Sequence, residues 1–218
     1  FKGGDTFKLT LINGFIEALD LGHVDDRVKA PLATLLEPLV GIRPIRLAQI
    51  ERALTLAAAV PGVTLKSALS PGKEPGGTLL VIDAAYSPVS GQISSDNSLG
   101  RSFGDWELNA QVSFNSLLGL GERVYVYLSG NPDLTRAFNS NARRRVAGAG
   151  VILPIGDDGL TGTLEATVSD TKPDVPGAYF QSNGLFKRLD GKLSYPLIKS
   201  RAQSLNLGGT FEYSTQVE

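Results

Sequence analysis

At Pro88 the chain passes from a mixture of strand and helix periods to strict alternation of apolar and polar side chains. The clearest run is Trp106-Glu107-Leu108-Asn109-Ala110-Gln111-Val112-Ser113-Phe114-Asn115. Successive strand residues point to opposite faces, so such a run builds a sheet with one apolar and one polar side. No helical pattern follows that could cover the apolar side. A small folded module leading into such sheet points to a membrane β-barrel with an attached soluble domain, divided as residues 1–87 and 88–218.

Composition does not reveal this. With 218 residues, 42% hydrophobic and a formal charge of −1, the chain resembles an ordinary globular protein of one or two domains. No excess of positive charge recruits nucleic acid. No run approaches the roughly eighteen apolar residues of a membrane helix, but barrel strands, which alternate, would not produce one. The absence of cysteine removes disulfides and thiolate metal sites. A chain that begins at Phe1, without methionine or a signal-peptide pattern, reads as an internal piece of a longer, processed protein.

Before Pro88, Phe7-Lys8-Leu9-Thr10-Leu11 alternates like a strand, and Phe15, Ile16, Leu19 and Leu21 extend it to a turn at Gly22. Asp25 and Asp26 suit the first turn of a helix carrying Val28, Leu32, Leu35, Leu36 and Leu39, which Gly41 ends. A second helix after Pro44 places Leu47, Ile50, Leu54, Ala57 and Ala58 on one face and stops at Pro61-Gly62. Strands at Val63 to Leu69 and Thr78 to Asp83 flank a Pro-Gly turn. The β-α-α-β-β order predicts an α+β layer in which two helices back a short sheet.

After Pro88 the alternation recurs at Val124 to Leu128, Leu160 to Val168 and Leu205 to Tyr213, more weakly at Val89 to Ile93 and Leu189 to Tyr195. Arg145 to Leu153 is ambiguous because both faces carry apolar residues. About seven antiparallel strands result. Short connections (116–121, 154–159, 197–202) alternate with long ones (94–105, 130–142, 170–181). Outer-membrane barrels have short periplasmic turns and long external loops, which puts the short turns on the side of the N-terminal module. A soluble sandwich would alternate similarly, and pattern alone leaves both architectures open. Seven strands cannot cross a bilayer with both edges unpaired, so a barrel reading requires further strands beyond Glu218.

Little here suggests an enzyme. His23 is the only histidine, no G-x-S-x-G motif accompanies it, and Gly119-Leu120-Gly121 lacks the rest of a dinucleotide fingerprint. Asp157-Asp158-Gly159 lacks further ligands at calcium spacing and reads as a type I′-like turn, so no metal or small-molecule cofactor is expected. Arg143-Arg144-Arg145 ends a long loop, either as a solvated end or as a contact for lipopolysaccharide phosphates.

Several ordered motifs resemble the two-partner secretion transporters of Gram-negative outer membranes, the haemolysin activation/secretion proteins. Leu47 to Leu54 followed by Val60-Pro61-Gly62-Val63 is similar to the second polypeptide-transport-associated (POTRA) domain of that family. Asp96-Asn97-Ser98-Leu99-Gly100 with Gly104 resembles its first barrel hairpin, Gly119-Leu120-Gly121-Glu122 its following glycine turn, and Tyr195-Pro196 with Arg201 its tyrosine-proline segment. The resemblance implies a barrel of roughly sixteen strands, preceded by a plug helix and a first POTRA domain. It also implies export of one large unfolded exoprotein, such as an adhesin or haemolysin, with outer-membrane lipid around the barrel. A many-client outer-membrane assembly factor of the same superfamily and a soluble β-sandwich binding protein are the alternatives.

An exposed strand edge can hold an unfolded chain by strand addition. The strand Val63, Thr64, Leu65, Lys66, Ser67, Ala68 and Leu69, with Gln49 and Arg52 of the second helix, is the candidate partner site; otherwise its apolar residues are merely core. Glu107, Asn109, Gln111, Arg123, Tyr125, Tyr127, Thr163, Glu165 and Glu212 are the candidate pore wall, or simply the polar face that any barrel needs.

Overall fold

A computed structural model describes residues 12–132, 142–174 and 183–217. Its elements run β1 (Phe15–Val24), α1 (Asp26–Leu36), α2 (Leu47–Ala57), β2 (Val63–Pro71), β3 (Gly77–Tyr86), β4 (Val89–Asp96), β5 (Glu107–Asn115), β6 (Arg123–Gly130), β7 (Arg144–Ile155), β8 (Leu160–Thr171), β9 (Gly184–Lys199) and β10 (Ser204–Val217). Phe7 to Leu11 lie outside the described residues.

The first five elements form a sheet of order β1-β3-β2 backed by the helices, with β1 parallel and β2 antiparallel to the central β3. The Asp25 carboxylate caps α1 by accepting the Arg27 N–H at 3.0 Å. Val28, Leu32 and Leu36 of α1 join Ile16, Leu80 and Ile82 of the sheet in one core. Full burial of each leucine contributes about 1.5–3 kcal/mol.

Two expectations for this module need correction. Gly22 does not end β1: the Asp20 carboxylate accepts its N–H at 2.9 Å, the pairing register shifts between Asp20 and His23, and the strand continues to Val24. Glycine here marks a bulge. On α2 the inward stripe is Ile50, Ala53, Leu54 and Ala57, whereas Leu47 is 71% exposed and Ala58 is also at the surface. Leu56, absent from the expected stripe, is buried on another side, over Gly159 of the β7–β8 connection.

From β4 to β10 every strand pairs antiparallel with its sequence neighbour in one seven-stranded sheet. Register carries the alternation across it: Gln111 lies opposite Tyr127, Tyr127 opposite Gly148, Gly148 opposite Thr167, Thr167 opposite Arg188 and Arg188 opposite Ser214. These residues share the polar face, while Val112, Val126, Ala149, Ala166, Leu189 and Tyr213 share the other. That second face is bare among the described residues; Leu164 is 52% and Phe211 72% exposed. No helix of the described residues is long and apolar enough to cross a membrane, a fact that does not bear on strands.

The ambiguity of β7 has a steric cause. Gly148 and Gly150 lie on the polar face beneath the rings of Tyr127 and Tyr125, and a Cβ at Gly150 would come within 2.5 Å of the Tyr125 ring. The polar character of that face is supplied by the neighbouring strand.

Candidate functional site

Among the described residues β2 is an edge strand, pairing along its length with β3 alone. Val63 and Leu65 pack on the core; Thr64, Lys66, Ser67 and Ala68 are exposed, and so is Leu69, at 59%. Such an edge presents unpaired backbone groups. The two helix residues grouped with it are engaged elsewhere. Gln49 Oε1 accepts the Arg46 N–H at 2.9 Å, capping its own helix. The Arg52 guanidinium donates to Asp158 Oδ1 at 2.9 Å and to the Asp158 carbonyl at 3.1 Å, so it faces the sheet rather than a groove beside β2.

Arg52 is therefore part of a joint. Tyr195 Oη also donates to the Asp158 carboxylate, and the Arg52 guanidinium lies 5.9 Å from the Tyr195 ring. These hydrogen bonds, from Tyr195 first and then Arg52, hold the Asp158 carboxyl below its ordinary 3.8. Beside it, a Cβ at Gly159 would fall 2.6 Å from Leu56 and 2.9 Å from Pro196, and one at Gly121 would fall 3.0 Å from Pro31. The glycines let the short turns seat closely on the helices. The four-residue turn is not type I′: positive φ falls at Gly156 and Gly159, flanking the two aspartates.

The β5–β6 connection forms the second half of the joint. Ser116 has a φ of 46°, Gly119 of 74° and Gly121 of 75°. The buried Glu122 carboxylate accepts the N–H groups of Leu118 (2.7 Å) and Leu120 (3.1 Å). Tyr86 Oη donates to the Asn115 carbonyl at 2.5 Å, and Asn115 Nδ2 donates to the Ser87 carbonyl at 3.1 Å, clamping the linker around Pro88. The sequence assigns no role to Tyr86 or Asn115, and Glu122 enters it only as the end of a glycine turn. Their roles depend on contacts across the linker or within a turn, which periodicity does not register.

All nine wall candidates lie on the polar face. Glu165 Oε2 accepts from Tyr125 Oη at 2.5 Å and Oε1 from Tyr127 Oη at 3.1 Å, while Arg188 stands 3.5 Å from Glu165 and 2.7 Å from Asp190. Glu107 is held by Arg144 and Ser129. Glu212 is exposed on β10 opposite Asp190. Thus much of the wall is internally paired rather than a row of free charges.

At the long-loop end, Asp96 accepts from the Ser98 N–H at 3.0 Å, Gly100 precedes a short 3₁₀ turn and Gly104, at φ 101°, closes it. Asn97 is exposed beside this turn, and Arg201 is exposed in the β9–β10 turn at the opposite end. The arginine run is not a free cationic patch: Arg143 pairs with Asp174 (2.7 Å), Arg144 with Glu107 and Arg145 with Asp170 (3.5 Å). Asp174 N–H also donates to the Ser102 carbonyl at 2.8 Å, tying two long loops together.

A family profile described as haemolysin secretion/activation protein ShlB/FhaC/HecB matches residues 76–217. The fold is similar to that of CdiB from Escherichia coli, with a TM-score of 0.73, 23% identity, and coverage of 94% of this chain and 37% of that one. It is also similar to CdiB from Acinetobacter baumannii (TM-score 0.62, 13% identity, 94% and 38% covered). A third likeness is to BamA from Haemophilus ducreyi lacking POTRA domains 1-3 (TM-score 0.56, 13% identity, 94% and 36% covered). The chain thus spans well under half the length of these proteins. Comparison with curated protein sequences gives no match.

Proposed function

The chain belongs to the haemolysin secretion/activation protein family, the two-partner secretion transporters, and we propose that it supplies a POTRA domain and the first seven strands of an outer-membrane protein translocase. The carrying observation is the seven-stranded sheet with one apolar face bare among the described residues, one polar face, and its β5–β6 and β7–β8 turns packed on the N-terminal module. Lipid is the solvent that such a face suits, and closure by further strands removes the two open edges. The module then lies in the periplasm and the polar face becomes the pore wall. No chemical step is assigned to any residue; the work is capture and passage of an unfolded exoprotein of the adhesin or haemolysin kind.

Capture falls to the β2 edge, without Gln49 and Arg52. Successive N–H groups of a strand point to opposite sides, so of Lys66 and Ser67 one faces β3 and the other faces outward. Proline at the outward position removes a donor needed for strand addition but leaves the ladder intact. Secretion of the partner exoprotein should fall sharply with that substitution while the transporter still assembles. Undiminished secretion from both proline variants would sink the capture reading. Depletion of many barrel proteins on loss of the transporter, with exoprotein release intact, would favour the assembly-factor alternative.

A further inference from the structure

Between the helices and the short-turn end of the sheet lies an apolar space of about 260 Å³. Leu35, Leu56, Val60 and Pro61 wall it on the module side, Ile152 and Pro154 on the sheet side. Arg123, Ile152 and Thr161 line it and all belong to the polar face, so the space sits at the foot of that face.

Arg123 is the unusual member. It is half-buried, its Nε is buried without a hydrogen-bond partner, and no carboxylate among the described residues pairs with it. Arg43, Arg52, Arg143, Arg144, Arg145 and Arg188 each have an acidic partner. The adjacent Glu122 gives both carboxylate oxygens to backbone N–H groups of its own turn. A partly desolvated cation against an apolar wall lacks an anion.

We propose that this space receives the exported polypeptide as it moves from the β2 edge to the pore. An extended segment would place an apolar side chain against Leu56 and Pro154 and a neighbouring carboxylate on Arg123. The inference rests on the translocase reading and adds to it a site and a client chemistry, an acidic residue beside an apolar one. The competing occupant is the chain's own segment before Ile12.

The test uses the full transporter in cells with its exoprotein stalled by a folded C-terminal fusion. A photo-crosslinking residue is placed at Ala59, on the wall of the space, or at Lys66, on β2. Exoprotein adducts are expected at both positions. In Arg123→Gln the Ala59 adduct should fall about ten-fold, the loss of one charge-assisted hydrogen bond, with the Lys66 adduct unchanged. Arg123→Lys should retain part of it. An adduct at Lys66 with none at Ala59, an Ala59 adduct internal to the transporter, or one indifferent to Arg123 overturns the pocket and leaves β2 capture standing. Adducts at neither position overturn both. Should Arg123→Gln not assemble, Ala59→Trp fills the same space with the probe moved to Thr34, and an undiminished adduct overturns the proposal.

Discussion

Gly148 and Gly150 hold the two tyrosine rings that turn β7 into part of a polar wall. Gly150→Ala brings a methyl group against a ring whose hydroxyl is tied to Glu165. Such overpacking should cost about 1–3 kcal/mol, read as a lower urea midpoint of the assembled barrel. A Tyr125→Ser change in the same chain should recover part of it. Asp158 makes the second prediction at this scale. Its folded pKa is depressed, so its contribution is complete above its ordinary 3.8 and is lost as pH falls through the lowered value. The Arg52–Asp158 coupling in a double-mutant cycle should therefore stay constant from neutral pH to about pH 5 and vanish only in stronger acid. Its size should be about 0.2–1 kcal/mol, because Asp158 is largely exposed. Neither contact was legible from sequence: the tyrosines lie more than twenty positions from the glycines they cover, and Arg52 and Asp158 are 106 residues apart.

Among elements, existence and type were more legible than boundaries and facing. α1 begins where Asp25 and Asp26 place it, because an N-cap is a local interaction. The stripe of α2 was misjudged at Leu47, since a helical repeat identifies several adjoining stripes and the neighbouring elements choose among them. The linker clamp is likewise a matter of docking. Asn115→Ala frees the Ser87 carbonyl and leaves a buried gap. It should cost about 1–3 kcal/mol and increase protease cleavage near Pro88, whereas Tyr86→Phe should cost only about 0.5–1.5 kcal/mol. Equal susceptibility of Asn115→Ala and the unsubstituted protein would show that Asn115 does not hold the linker.

The whole molecule is divided between a module with its own core and a sheet whose apolar face has none. In a bilayer the two faces respond oppositely to charge. Leu164→Arg on the apolar face should lower stability in lipid vesicles by about 2–4 kcal/mol if it sits near the midplane. Glu165→Gln, one residue away on the wall, keeps only one acceptor oxygen for the two tyrosine hydroxyls and should cost about 0.5–1.5 kcal/mol of membrane stability, less than the arginine, while altering pore conductance. Similar costs for both would contradict the facing of the sheet.

Local chemistry in the chain already determined the β-α-α-β-β module, the seven strands, which residues share the polar face on every strand but β7, and the short and long connections. Period, caps and turn residues act over a few positions, and all of these features are of that range. Only the tertiary structure decided that Arg52 belongs to the joint rather than to the β2 edge, that the three arginines at 143–145 are neutralised and that Arg123 is not. Each depends on which distant groups the packed elements bring within hydrogen-bond reach, a relation that no side-chain period encodes.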